Sequence, residues 1–406
     1  MAAERIFFVG DWGHEASADG AAHLPTAECS TAEHAIGRAF AQYVNRRVPI
    51  VSVGDTFYSK PARNADPVAW VAARLAAAEE CLGPVATRER SWFFVPGNHD
   101  EESPLCGASL PQDFSLPEHA APGQPPAAPG FDWATRYRGR WIEAGPGQAA
   151  RAMARQDTWW ARQLGGEGGG PRVLLIGIDT NCIVNAHVLA LAAAQQQAGG
   201  GVDERLTKPL RHATAARCGY GSDEQAAVAE RQAAWLRATL TELGPRATAV
   251  VVVGHHPLAA VPHDKRGKKR HEADAVAAWW ARAVDRRHVV HAYVCGHEHN
   301  LQVLHRGPQP AEVGGVLNLP RVMVVSGAGG GNDELDAPLP ASGTQAPDGT
   351  DVRLAYAEAC FGFVELVMDD PSRGGVAAVR VHRLRTEAAG GASPWQVAEF
   401  SAALDA

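Results

Sequence analysis

A chain of 406 residues, 46% apolar and 20% charged, has enough material for one large core or two smaller ones, and this balance excludes a largely disordered or fibrous protein. A formal net charge of -7 weighs against binding dominated by nucleic-acid backbone contacts, so nucleic acid is not an expected partner. The seven cysteines are scattered, odd in number and without a Cys-x-x-Cys pair, which points away from a disulfide framework or a thiolate zinc site and towards a reducing compartment.

The first predicted element is a strand over Arg5–Val9, running into Gly10-Asp11-Trp12-Gly13. Its apolar run is too short for a signal-peptide core. No later stretch approaches the roughly 20 apolar residues of a spanning helix, so a cytoplasmic protein without a membrane segment is expected. A helix over Thr31–Val44 leads to a strand over Pro49–Val53 and the turn Gly54-Asp55-Thr56-Phe57-Tyr58; a helix over Ala65–Cys81 leads to a strand over Trp92–Val95 and Gly97-Asn98-His99-Asp100. After an excursion near 101–130 come a strand over Arg172–Ile178, the residues Asp179-Thr180-Asn181 and a second excursion near 195–222. Asp223–Leu243 has apolar positions at helical spacing, with Ser222 and Gln225 placed as a capping box. Three strands follow. Ala249–Val253 runs into Gly254-His255-His256-Pro257, Val289–Val294 into Gly296-His297-Glu298-His299-Asn300, and Arg321–Val325 into the glycine run Ser326–Gly331. A third excursion near 331–350 precedes a strand over Phe361–Met368, and residues 386–406 are expected to be a tail beyond a single catalytic domain of 1–385.

This alternation is the rhythm of an α/β fold, and the near-continuous apolar runs are those of strands buried on both faces. Five strand ends carry a glycine just before a polar group. Glycine there lets the backbone turn sharply while the strand behind it fixes where the next side chain points. Each motif alone is weak, because an Asp or Asn after a strand is commonly a turn or cap residue. Together they supply what a pair of metal ions about 3.5–4 Å apart requires: a carboxylate able to bridge, hard oxygen ligands, and imidazoles. Asp55 is suited to the bridge, and His297 and His299, two residues apart on an extended segment, face the same side.

In this order the motifs GDxG, GDxxxY, GNHD, GHxP and GHxHN resemble the calcineurin-like metallophosphoesterases, and Tyr58 resembles the tyrosine of the purple acid phosphatase branch. The resemblance implies an αββα sandwich of two mixed β-sheets flanked by helices. It also implies two metal ions, with Asp11, Asp55, Tyr58 and His299 around the first and Asp55, Asn98, His255 and His297 around the second. Iron is implied in the Tyr58 site, since a phenol of pKa about 10 needs a strong Lewis acid to ionise it at neutral pH, and iron, zinc or manganese in the other. His14 is the alternative to Tyr58 as a ligand.

The implied reaction is in-line attack by a metal-bound hydroxide on a phosphate monoester, with a phosphorylated small molecule or phosphoprotein as substrate. A phosphodiesterase on nucleotides or lipid head groups, or a non-catalytic metal-binding scaffold, fits the same motifs. His99 is placed to contact the phosphoryl or leaving-group oxygen, with Asp100 behind it; His263, and less so His256, are candidate acid or substrate contacts. The basic run His263–His271 is either a rim that attracts anions or solvated surface. The glycine run Ser326–Gly331 lacks the Lys-Ser/Thr of a nucleotide loop and reads as a flexible turn.

Overall fold

The computed structural model describes residues 5–12, 35–39, 48–55, 92–100, 159–165, 170–203, 206, 210, 222–260, 270–307, 318–330, 335–336, 352–369, 375–384 and 395–401. In chain order the strands are β1 (Arg5–Val9), β2 (Ile50–Ser52), β3 (Trp92–Phe94), β4 (Trp160–Gly165), β5 (Arg172–Gly177), β6 (Ala249–Val253), β7 (Ala292–Cys295), β8 (Leu301–Arg306), β9 (Val322–Ser326), β10 (Val352–Glu358), β11 (Gly362–Met368), β12 (Val376–Leu384) and β13 (Trp395–Ser401). Helices α1 (Thr180–Gln197) and α2 (Ser222–Leu243) lie between β5 and β6, and α3 (Arg270–Ala283) lies between β6 and β7.

The strands form two mixed sheets, one in the order β13-β12-β11-β1-β2-β3 and the other β10-β8-β9-β7-β6-β5-β4. The first has a parallel set β1-β2-β3 and antiparallel partners from the C-terminal part of the chain, because β1 pairs with β11 (Phe7 opposite Glu365). The second has a parallel set β5-β6-β7-β9 edged by antiparallel β4, β8 and β10.

Strand alternation explains the uninterrupted apolar runs. Ile6, Phe8, Val51 and Val53 of the first sheet share a core with Val173, Leu175, Val251 and Val253 of the second, so this layer lies between the sheets. Their neighbours face outward. Leu174, Ile176, Val250 and Val252 pack under Val188, Val228, Leu236 and Trp280 of the three helices. Phe7 and Val9 pack with Ile36 and Ala39 of the helical segment 35–39. The layers therefore run helix, sheet, sheet, helix, which is the expected αββα sandwich.

Every strand read from the sequence falls on an observed one, with ends shifted by at most a few residues. Three differences have physical reasons. The excursion assigned near 195–222 begins later, because Asp179 caps α1 with its Oδ1 accepting the Asn181 N–H at 2.9 Å, and the helix runs on to Gln197. The end of the basic run, Arg270 and His271, opens α3, whose Val276, Trp279, Trp280 and Ala283 are buried. Part of the segment expected as a tail is β13, paired with β12 along its whole length (Val379 opposite Phe400, Val381 opposite Ala398). The helix expected over Ala65–Cys81, the excursion near 101–130 and the Ser222 side chain lie outside the described residues. No helix among the described residues is long and apolar enough to cross a membrane.

Candidate metal centre

The carboxyl ends of the parallel strands in both sheets open on the same edge. β1, β2 and β3 lead to Asp11, Asp55 and Asn98, while β6 and β7 lead to His255, His297 and His299. Backbone bonds tie these ends together: Gly10 N–H donates to Ser326 O at 2.8 Å between the two sheets, while the bonds from Asp11 N–H to Gly54 O at 3.0 Å and from Gly296 N–H to His255 O at 3.0 Å join neighbouring strand ends within each sheet.

Among the described residues, the non-glycine residues with positive φ are Asp11 (55°), Asp55 (52°) and His297 (70°). All three belong to the ligand set read from the sequence. A left-handed conformation costs a non-glycine residue free energy, and it persists where surrounding bonds enforce it. Here Asp11 Oδ2 accepts the His297 N–H at 2.9 Å and Asp55 Oδ1 accepts the His99 N–H at 2.9 Å. The two carboxylates thus use one oxygen each to fix the neighbouring turns and keep the other for the pocket.

The ring nitrogens are sorted in the same way. His255 Nδ1–H donates to Val53 O at 2.9 Å, so in the neutral ring the lone pair sits on Nε2. That Nε2 is 3.0 Å from Asn98 Oδ1, 3.2 Å from His297 Nδ1 and 3.4 Å from Asp55 Oδ2. His297 Nδ1 is in turn 2.9 Å from Asn98 Oδ1. Four atoms from four turns, two oxygens and two nitrogens, therefore gather with His255 Nε2 at their centre, a donor set suited to a divalent cation. Beside them, His299 Nε2 stands 3.4 Å from Asp11 Oδ1, and ligand atoms of Asp11, Asp55 and His255 all lie within 4.8 Å of one another. Asp11, Asp55, His255 and His297 are buried and Asn98 and His299 half-buried, and this donor set of carboxylates, an amide oxygen and imidazoles fits metal ions by its chemistry.

The electrostatics agree with a site built for positive charge. Burial pushes the Asp55 carboxyl up, but His255, His99 and His297 outweigh it and hold it well below the usual carboxylate range. Burial pushes His255 down, yet Asp55, and then Asp11, raise it to about 9. His256 behaves oppositely: burial, His297 and His255 keep it well below the usual histidine value, and it is a neutral ring held by Thr180 Oγ1 at 2.8 Å from its Nδ1. That contact turns it towards α1 and leaves it a packing partner of His297, with ring centroids 4.5 Å apart.

His99 sits half-buried on the turn after β3. Asp100, expected to orient its ring, accepts the Gly97 N–H at 2.7 Å and closes the turn. Tyr58, His14 and His263, with most of the basic run, lie outside the described residues.

Four supporting residues were not read from the sequence as parts of the site. Thr180 anchors His256, accepting its backbone N–H at 3.0 Å, and Asn181 Nδ2 donates to Gly97 O at 3.1 Å, so the start of α1 ties the β3 and β6 turns together. Asp336 Oδ2 accepts the His299 N–H at 3.0 Å. Glu272 Oε2 lies 2.6 Å from His297 Nε2. The Asp179-Thr180-Asn181 cap was the one local signal available for the first two; Asp336 and Glu272 come from separate segments with no motif around them.

No protein-family model matches the chain, and no curated protein matches it by sequence. Solved structures similar to it include GAP50, the anchor in the inner membrane complex of Plasmodium (14% identity, 93% of this chain and 84% of that one, TM-score 0.45). The purple acid phosphatase PPD1 from yellow lupin is another (13% identity, 94% and 51%, TM-score 0.46), and the chain spans about half of that enzyme's length. A dimetal phosphatase from Danio rerio is a third (13% identity, 94% and 96%, TM-score 0.44). Likeness at this level says nothing about chemistry, which rests on the side chains described above.

Proposed function

We propose that the chain is a dinuclear metal-dependent phosphoesterase that hydrolyses phosphate monoesters, in the manner of a purple acid phosphatase. In this reading Asp11, Asp55, Tyr58 and His299 hold the first ion, iron, and Asp55, Asn98, His255 and His297 hold the second, which is iron, zinc or manganese. The observation that carries it is the gathering of Asp55 Oδ2, Asn98 Oδ1 and His297 Nδ1 around His255 Nε2, with Asp11 and His299 paired beside them.

When bound, such ions supply Lewis acidity to phosphoryl oxygens and make water acidic enough to ionise near neutral pH. The chain's own residues prepare the place for this. Asp55, whose carboxyl is held well below the usual carboxylate range, would be ionised before any ion arrives and would be the carboxylate shared between the two. Val53 O and Asp11 Oδ2 fix the His255 ring and the His297 turn before anything binds, so little reorganisation is needed. His99, whose backbone N–H holds Asp55, is assigned to donate a hydrogen bond to the phosphoryl or leaving-group oxygen, and His263 to supply a further proton. The substrate is a phosphorylated small molecule or phosphoprotein, and the location is cytoplasmic.

The metal-loaded protein is expected to hydrolyse an aryl phosphate faster than a bis-aryl phosphate. The reverse order would replace the monoesterase reading with the diesterase one, and no turnover of either by the loaded protein would leave a metal-binding scaffold. Iron bound by Tyr58 should give a visible absorption band that Tyr58→Phe abolishes. A band that survives the substitution, or iron-free protein with full activity, would remove iron from the first site.

A further inference from the structure

Glu272 lies in the first turn of α3, 25 residues before His297 and outside the five glycine-led motifs of the metal centre. Its helix is firmly docked. Trp279 Nε1–H donates to Ala229 O at 2.8 Å, Trp280 Nε1–H to Asn318 O at 3.0 Å, and both indoles are fully buried. The carboxylate is thus presented to the site from a fixed element.

An ionised carboxylate only accepts hydrogen bonds, so the 2.6 Å contact with Glu272 Oε2 places the ring hydrogen of His297 on Nε2. The lone pair is then on Nδ1, the atom 2.9 Å from Asn98 Oδ1 and 3.2 Å from His255 Nε2. The backbone of His297 is independently held by Asp11 Oδ2. That bond fixes the turn, but it does not choose a tautomer or stop the ring from rotating. Glu272 does both, while the His255 and His256 rings pack at 5.0 and 4.5 Å between centroids.

We infer that Glu272 is the positioning residue of His297: it selects the Nε2–H tautomer, aims Nδ1 at the second ion and strengthens Nδ1 as a donor. This rests on His297 being a metal ligand, as proposed above. Carboxylates that hold a ligating imidazole in this way commonly contribute about 10–100-fold in metal affinity.

A rival assignment is that His256, Glu272 and His297, whose ligand atoms lie within 4.8 Å of one another, themselves hold an ion. The geometry favours positioning. Two donors each about 2.0–2.1 Å from a tetrahedral ion stand roughly 3.3 Å apart, whereas 2.6 Å is a hydrogen-bond distance.

The test is a Zn2+ or Mn2+ titration of the full chain, freed of metal by chelation, as wild type, Glu272→Ala and Glu272→Gln. Wild type should take up two ions. Glu272→Ala should weaken one of them by about 10–100-fold and leave the other unchanged. Glu272→Gln, which keeps a carbonyl acceptor for Nε2–H, should weaken it less. The metal-free variants should melt with the wild type. Glu272→Ala binding both ions like wild type would overturn the inference. So would equal weakening of both ions together with a lowered melting temperature, which would mean that α3 has lost its docking. Loss of a third equivalent of metal would make Glu272 a ligand instead. Wild type that binds no ion would sink the metal-centre reading itself, and this inference with it.

Discussion

Replacing Asp55 with asparagine is expected to abolish stable binding of both ions and to lower phosphoester hydrolysis by at least about 10³-fold, the upper end of what loss of one preorganised electrostatic group costs. The reasoning begins with the backbone. Asp55 sits at φ 52°, and asparagine is among the few residues that tolerate this region, so the turn survives the substitution. The asparagine Oδ1 can still accept the His99 N–H that Asp55 Oδ1 accepts at 2.9 Å. What disappears is the charge opposite His255 Nε2, 3.4 Å away, and with it the one carboxylate assigned to both ions. The metal-free fold should therefore be preserved while metal content, read by elemental analysis, falls towards zero along with turnover. A variant that keeps two ions per chain would show that Asp55 is not the bridge, whatever its activity.

The parts of this site that were legible in the sequence share one property: each lies directly after a buried strand and behind a glycine. Asp11, Asp55, Asn98, His255, His297 and His299 could be read because the chain must turn at those points, and a polar side chain fixed at such a turn has few other uses. The strands before them were equally legible, since β1, β5 and β6 are buried on both faces and leave uninterrupted apolar runs.

Three of the strands not read from the sequence, β4, β10 and β12, break that pattern for identifiable reasons. β4 exposes or half-exposes Ala161, Arg162 and Gln163 at the sheet edge, and β10 shifts register between Leu354 and Tyr356. β12 carries Arg380 and His382, whose polarity is accounted for by carboxylates on the flanking strands: His382 Nε2 lies 2.8 Å from the buried Glu365 Oε2 on β11, and Arg380 Nε donates to Glu399 Oε2 on β13 at 2.6 Å. The supporting residues Asp336 and Glu272 were illegible for a different reason. Their role exists only through partners 37 and 25 residues away, and nothing in their immediate neighbourhood encodes the contact.

Gly97→Ala should damage the site although the position carries no functional group. A Cβ there would run into the backbone nitrogen and the Oδ1 of Asp55, both too close for any carbon to be accommodated. Gly97 cannot readily retreat, because its N–H is bound to Asp100 Oδ2 at 2.7 Å and its carbonyl accepts from Asn181 Nδ2 at 3.1 Å. Asp55 must yield instead, taking with it the oxygen that faces His255. The expected result is a loss of about 1–3 kcal/mol in metal-free stability, the range for overpacking a close-fitted site, together with weakened binding of both ions. Gly201→Ala is the matched control, since a Cβ at Gly201 meets nothing within 4 Å, and it should leave stability and metal binding nearly unchanged. Denaturant melts and metal titrations of the two variants decide the matter. If Gly97→Ala binds both ions as tightly as wild type, Asp55 is not held where the turn after β3 places it, and the shared carboxylate loses its structural basis.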